Sequence, residues 1–137
     1  MQSLFQLAIH VRYLDGARHF YGGTMGCTEG RSTTTWVDFD FFGHQLSLHR
    51  GEPFATTRTG HVDDTLVPMP HFGLVLPLPQ WQALAKRLQA AGTDFIFAPQ
   101  VRFSGQPGEQ WTMFFCDPSG NPLEIKGFHS LETVYAT

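Results

Sequence analysis

The sequence predicts an α+β protein built from two copies of one β-α-β-β-β unit. Alternating apolar and polar residues predict strands in both halves of the chain, and one segment with helical periodicity predicts a helix in the second half. The order of elements recurs, and Gly43 and Gly120 precede the last strand of their respective halves. Because neither unit can bury both faces of its sheet alone, we expect the units to pair as a half-open, barrel-like sheet around a groove.

The first half, residues 4–50, opens with the segment LFQLAIHV, which alternates in polarity as a strand does. Asp15 is placed to cap a helix that ends near Gly22 or Gly26. The β-rich segment TTTWVDFDFF and the segment HQLSLH, on either side of Gly43, predict the following strands.

The second half, residues 70–128, repeats this order. HFGLVL predicts a strand, and residues 79–92 predict a helix with an apolar stripe that includes Trp81 and with Gly92 as its end. The segments TDFIFAP, QWTMFFCD and NPLEIKGF predict three further strands. Residues 51–69 lack periodicity and are rich in turn residues, so we expect a loop that links the halves.

Composition limits the class of protein. A chain of 137 residues with 42% hydrophobic residues has room for one domain, which we take to span residues 1–137. A net charge of −3 gives no electrostatic reason to expect binding to nucleic acid or to an anionic membrane. No apolar run reaches the roughly 20 residues of a membrane span. The N-terminal residues carry no basic leader and no cleavage-like site, so we expect a cytoplasmic protein.

Several segments carry a family resemblance. The chain resembles the vicinal-oxygen-chelate superfamily in its doubled βαβββ order and in two segments, ARHFYGGTMGC in the first half and MFFCDPSGNPLEIKGF in the second. That superfamily contains glyoxalase I, fosfomycin and bleomycin resistance proteins and extradiol dioxygenases. The resemblance covers nearly the whole chain. More narrowly, the chain is similar to a subgroup of predicted extradiol-type dioxygenases in three segments, WVDFDFFGHQL, VRFSGQPGEQWTMFF and DPSGNPLE.

The resemblance implies a metal site on the first and last strands of the two halves. It places Glu124 at the usual carboxylate position, His71 at the second-half histidine, and Gln6 where dioxygenase-like relatives carry histidine. His10, on the same strand face as Gln6, is an alternative that requires a register shift. Taken alone, His71 would be an ordinary histidine at a strand start and Glu124 a solvated strand residue.

The fourth corner of the implied site is Ser47, which the repeat matches with Glu124. Serine is a poor ligand, so at most three protein groups remain and coordination positions stay open. Open positions admit both a chelating substrate and O₂, as in non-haem Fe(II) oxygenases, whereas four protein ligands favour Lewis-acid chemistry. The implied cofactor is therefore Fe(II), with Mn(II), Zn(II) and Ni(II) as alternatives.

Two further residues are candidates for catalytic roles. His49 shares its strand face with Ser47, where a neutral imidazole would transfer protons to or from the substrate; the alternative is a strand-end histidine in water. Arg102 precedes the glycine-containing loop 104–109 and is placed to clamp a substrate carboxylate; the alternative is a solvated hairpin.

Together these expectations describe a metal-dependent dioxygenase that acts on a small substrate with vicinal oxygens. Two alternatives remain: a non-enzymatic small-ligand-binding protein similar to bleomycin resistance proteins, and a metal-dependent lyase or isomerase of the same superfamily. Exposed sheet edges in so small a domain favour a homodimer, in which the halves pair either within one chain or between chains.

Overall fold

The computed structural model describes residues 3–136 of the protein, which divide into two compact units. The first unit contains the residues up to Ala55 together with Asp117–Asn121. The second contains Thr56–Cys116 and the residues from Pro122 onward. That the two units act as one domain remains a prediction.

The first unit consists of one four-stranded sheet and one helical segment. Its strands are β1 (Gln6–Val11), β2 (Thr28–Ser32), β3 (Trp36–Phe41) and β4 (His44–Arg50), and its helix α1 (Leu14–Ala17) continues as a π-helix over Arg18–Thr24. The strand order is β1-β4-β3-β2, with β1 parallel to β4 and the other pairs antiparallel.

Local sequence explains most of this unit. On β1 the polar side is exposed while Val11 is fully buried, as the alternation predicts. Strands β3 and β4 are joined by Phe42 and Gly43, whose φ angles of 53° and 92° are those that a tight two-residue hairpin requires. The carboxylate of Asp40 accepts a hydrogen bond from Gly43 N at 2.7 Å, which stabilises the turn.

One prediction for this unit is wrong, and one strand was not located. Asp15 does not cap α1: the helix starts at Leu14, Tyr13 occupies the cap position, and the Asp15 carboxylate lies 3.6 Å from Arg18. The earlier start buries Leu14, which favours it over a start after Asp15. The predicted β-α-β-β-β order includes a strand here, but the segment that forms β2 was not identified, because all five of its residues are exposed and no alternation marks it.

The second unit consists of a four-stranded sheet, one α-helix, a separate hairpin and a short 3-10 helix over Leu131–Thr133. Its elements are β5 (Thr57–Val62), β6 (Thr65–Met69), β7 (Phe72–Pro77), α2 (Leu78–Ala90), β8 (Phe95–Arg102), β9 (Gln110–Cys116) and β10 (Pro122–Phe128). The sheet order is β7-β10-β9-β8, with β7 parallel to β10. Within residues 3–136, strands β5 and β6 pair only with each other.

The predicted loop at residues 51–69 is therefore wrong, since most of this segment forms the β5–β6 hairpin. Val62 and Val67 bury their side chains in one cluster with Phe97 and Phe114, and this burial stabilises the hairpin. The alternation that would reveal two strands is interrupted, because the pairing register shifts before Gly60.

Helix α2 forms as predicted and packs on β10. Its stripe, which includes Trp81, is buried, and Gly92 takes a φ of +74° directly after the helix end. Trp81 Nε1 donates a hydrogen bond to Ile125 O at 2.9 Å. A β-carbon on Gly127 would approach the Trp81 side chain to 2.7 Å, so glycine permits this close packing.

The predicted fold class is confirmed, because each unit contains a β-α-β-β-β module in an open sheet. Among residues 3–136, no helix is both long enough and apolar enough to cross a membrane.

Candidate metal site

His71 and Glu124 lie side by side in the second unit. His71 directly precedes β7, and Glu124 lies in the neighbouring parallel strand β10, so their side chains occupy the same face of the sheet. His71 Nε2 lies 3.6 Å from Glu124 Oε1, and the two side chains are 21% and 11% exposed. Glu124 is thus not the solvated strand residue that its sequence neighbours alone suggest.

A hydrogen bond fixes which ring nitrogen of His71 carries the proton. Nδ1 lies 2.9 Å from the carbonyl oxygen of Pro68, which can only accept, so Nδ1 is the donor. In a neutral imidazole, Nε2 then presents a lone pair to the carboxylate of Glu124. Two acceptors that face each other in this way are stabilised by a cation. The nitrogen and oxygen donors fit a divalent first-row metal, and the Pro68 contact is the type of outer hydrogen bond that orients a ligating histidine.

The other carboxylate oxygen of Glu124 is held from the next strand. Thr112, which is fully buried on β9, donates a hydrogen bond from its hydroxyl to Glu124 Oε2 at 3.1 Å. On the same face, the ring of Phe114 meets the His71 ring edge-on at a centroid distance of 4.8 Å. These contacts restrict both side chains to the geometry that brings them together.

The backbone beside Glu124 leaves no room for a side chain on β7. Gly73 pairs with Glu124 across the parallel register, and a β-carbon at position 73 would collide with the Glu124 carbonyl group. Glycine therefore permits the two backbones to approach at the residue that carries the carboxylate.

A small cavity opens at this pair. Its volume is about 210 Å³, and its lining includes His71, Glu124, Lys126 and the β7 residues between Phe72 and Val75. Lys126 lies two residues after Glu124 on the same strand face, with Nζ 4.0 Å from Glu124 Oε1.

The first-half candidates lie on one face of the first unit's sheet. Gln6 is exposed at the start of β1, and Ser47 Oγ lies 3.1 Å from His49 Nε2 on β4, which confirms that those two share a face. His10 lies further along the same face of β1 as Gln6. The roles of Gln6 as a ligand and His49 in proton transfer remain predictions.

The strand registers support the match between the halves. Ser47 pairs with Ala8 on β1, and Glu124 pairs with Gly73 on β7. Gln6 lies two residues before Ala8, and His71 lies two residues before Gly73, so Gln6 and His71 occupy equivalent positions. Within the described range 3–136, no group of three or more His, Cys, Asp or Glu side chains has the spacing of a metal site.

Arg102 lies on the same sheet face as Glu124, two strands away. Its guanidinium lies 3.3 Å from the Asp63 carboxylate and 4.7 Å from the centre of the Phe103 ring. Its buried Nε has no hydrogen-bond partner in the part of the chain that the structure describes. Gln110, directly opposite on β9, has a buried Oε1 that is also unpartnered. The register places Arg102 roughly 16 Å from Glu124 by ordinary strand dimensions, and its role as a substrate clamp remains a prediction.

Comparison with known proteins gives the family. No family model matches the sequence, and no curated protein matches it either. Among solved structures, a glyoxalase/bleomycin resistance protein/dioxygenase from Alicyclobacillus acidocaldarius is 32% identical, with a TM-score of 0.77 over 98% of this chain and 97% of that one. The chain belongs to the glyoxalase/bleomycin resistance protein/dioxygenase superfamily.

More distant members of the superfamily share the fold. The fosfomycin resistance protein FosX from Listeria monocytogenes is 16% identical, with a TM-score of 0.67 over 98% of each chain. Lactoylglutathione lyase from Agrobacterium tumefaciens is 13% identical, with a TM-score of 0.65 over 100% of this chain and 98% of that one. At these identities the likeness shows the superfamily fold alone.

Sequence reasoning missed three residues that shape the site of this superfamily member. Thr112 falls on the polar side of QWTMFFC, and Lys126 follows Glu124 by two residues, so strand alternation was a usable signal for both. The contribution of Pro68 comes from its backbone carbonyl, for which the sequence contains no signal.

Proposed function

We propose that this superfamily member is an Fe(II)-dependent dioxygenase of the extradiol type, acting on a small substrate with vicinal oxygens. The proposal depends chiefly on one observation, the approach of His71 Nε2 to Glu124 Oε1 at 3.6 Å while Nδ1 is bonded to the carbonyl oxygen of Pro68. Gln6, at the position equivalent to His71, is the proposed third ligand.

Each residue has a distinct task in this proposal. Bound Fe(II) would supply open coordination positions for the vicinal oxygens of the substrate and for O₂, since Ser47 adds no carboxylate. Pro68 and Thr112 hold His71 and Glu124 in their ligating orientations. His49 is the proposed proton carrier, and Arg102 is proposed to orient an anionic substituent.

Anaerobic Fe(II) titration followed by oxygen uptake tests this function. We expect the wild-type protein to bind one Fe(II) per chain and His71→Ala to lose that binding, with His19→Ala as a control because His19 is exposed on the π-helix. O₂ is then admitted with a panel of catechols, and uptake should depend on both iron and diol.

The outcomes separate the alternatives. Equal iron binding by the wild type and His71→Ala would reject metal-dependent catalysis at this site and favour a ligand-binding protein. Iron binding without oxygen uptake on any diol would favour a lyase or isomerase of the superfamily.

We infer further that the protein acts in the cytoplasm as a homodimer. Taken by itself, each unit's open sheet ends in edge strands, β1 and β2 in the first and β7 and β8 in the second, and unpaired edges favour association. Sedimentation equilibrium at micromolar concentration measures the oligomeric state, and a monomer would contradict this inference.

A further inference from the structure

Lys126 is a cation placed against the candidate metal site. Its Nζ lies 4.0 Å from Glu124 Oε1, the oxygen that also faces His71, and its side chain is 38% exposed. Among the described residues, Glu124 is the one carboxylate within 4.0 Å of this ammonium. Lys126 also lines the 210 Å³ cavity beside His71 and Glu124. We propose that Lys126 binds an anionic group of the substrate and selects substrates that carry one next to their vicinal oxygens.

The charges at the site support this role of Lys126, which rests on the proposed metal function. Without a metal, the Lys126 ammonium is balanced by the Glu124 carboxylate. If Glu124 and His71 held a divalent cation, the Glu124 carboxylate would balance the charge of that cation instead, and the cation would repel the Lys126 ammonium at short range. The site then has an excess of positive charge, which favours an anionic ligand over a neutral one.

The flexibility and partners of Lys126 suit this task. A half-exposed lysine has a flexible four-carbon stem, so its ammonium can turn from Glu124 to a ligand in the cavity. Arg102, by contrast, already pairs with Asp63 and lies roughly 16 Å from Glu124 by strand spacing. Of these two cations, Lys126 is the nearer to the proposed chelating position.

The short distance between Lys126 and Glu124 defines the class of ligand. Because Nζ lies 4.0 Å from an oxygen that would ligate the metal, an anion that contacts Nζ must lie close to the metal-bound oxygens of the ligand. A carboxylate next to a vicinal diol meets this condition, and a carboxylate on the far side of an aromatic ring does not. The probes that represent these cases are 2,3-dihydroxybenzoate, 3,4-dihydroxybenzoate and neutral catechol.

Removing the ammonium should have opposite effects on metal and on anion. In Lys126→Met, loss of the repelling charge should tighten metal binding about tenfold. Loss of the anion contact should remove a preference for 2,3-dihydroxybenzoate over catechol that we expect to be about tenfold in the wild type. Simple structural damage at the site would weaken both, so the opposite signs identify the charge effect.

The experiment is anaerobic isothermal titration calorimetry on four proteins: the wild type, Lys126→Met, Lys126→Arg and Lys86→Met. Each protein is first titrated with Co²⁺. Each Co²⁺-loaded protein is then titrated with the three diols. Lys86 is the other lysine of the chain and is exposed on α2, so Lys86→Met is a matched loss of charge and should behave as the wild type. Lys126→Arg should retain the preference for the anionic diol.

The results distinguish this inference from the proposed function. If Lys126→Met keeps the preference for 2,3-dihydroxybenzoate, or binds Co²⁺ more weakly than the wild type, the anion-binding role is overturned while the metal site stands. If the wild type binds Co²⁺ no better than His71→Ala, the metal site and the role of Lys126 both fall.

Discussion

The hydroxyl of Thr112 donates a hydrogen bond to Glu124 Oε2 at 3.1 Å, from a position where Thr112 is fully buried. This bond leaves Oε1 free to face His71 Nε2. Glu124 therefore approaches the histidine with one carboxylate oxygen while the protein holds the other, an arrangement that preorganises a ligand before any metal arrives.

Thr112→Val should weaken metal binding and leave the fold intact. Valine has the same shape as threonine, so the buried site stays filled, but Glu124 loses the donor that orients it. We expect the dissociation constant for Co²⁺, measured by calorimetry, to rise about tenfold, as is typical when an outer hydrogen bond to a ligand is removed. Thr57→Val, at an exposed position on β5, is the control. An unchanged affinity would show that Thr112 does not position the carboxylate.

Gln6→His should increase the affinity for Fe(II) if Gln6 is a ligand. Gln6 is equivalent to His71 by strand register, and imidazole is a stronger donor to Fe(II) than an amide oxygen. We expect the dissociation constant in an anaerobic titration to fall about tenfold or more. Gln82→His, exposed on α2, controls for the added imidazole. Equal affinities for wild type and Gln6→His would assign the third position to another group.

Elements with a clear contrast between their faces were predictable from the sequence. Strand β1 and helix α2 each bury one side, so their periodicity is visible in the residue types. Strand β2 has five exposed residues, and its existence depends on pairing with β3, which local sequence does not encode. The hairpin of β5 and β6 was missed because a register shift near Gly60 breaks its alternation.

The candidate site likewise has one feature that was predictable from the sequence and one that was not. The family resemblance places His71 and Glu124 at ligand positions and so predicted that the two side chains meet, and the structure brings them to 3.6 Å. The proton position on His71 was not predictable, because it depends on the backbone carbonyl of Pro68 at the end of the missed hairpin. The meeting of the two side chains followed from the family resemblance, whereas the backbone contact required the tertiary fold.

Gly73→Ala should destabilise the second unit at the metal site. A β-carbon at this position collides with the carbonyl group of Glu124, so β7 and β10 must separate locally. We expect a loss of about 1–3 kcal/mol in the free energy of unfolding, measured by urea denaturation, together with weaker Co²⁺ binding. Gly16→Ala is the matched control, because no atom lies within 4 Å of the added β-carbon and Gly16 is helical, so its stability should stay equal or rise slightly. Equal stability of Gly73→Ala and the wild type would contradict the close approach of the two strands.

Tyr21→Phe should destabilise the first unit, because the Tyr21 hydroxyl bonds to Asp117 in the turn DPSGN (residues 117–121). Asp117 is 4% exposed, and its carboxylate accepts hydrogen bonds from the backbone N–H groups of Ser119 and Asn121, from Asn121 Nδ2, and from the Tyr21 hydroxyl at 2.7 Å. Buried carboxylates are costly unless donors satisfy them, so removal of the hydroxyl should lower the free energy of unfolding by about 1–3 kcal/mol.

The control for this variant is Tyr13→Phe, because Tyr13 is 76% exposed and should tolerate the loss of its hydroxyl without a measurable change. Fe(II) affinity should stay at the wild-type value in Tyr21→Phe, since the Asp117 carboxylate accepts hydrogen bonds within the turn and is not a proposed ligand. A variant that keeps wild-type stability in urea but loses iron would instead place Asp117 and its tyrosine partner in the metal chemistry.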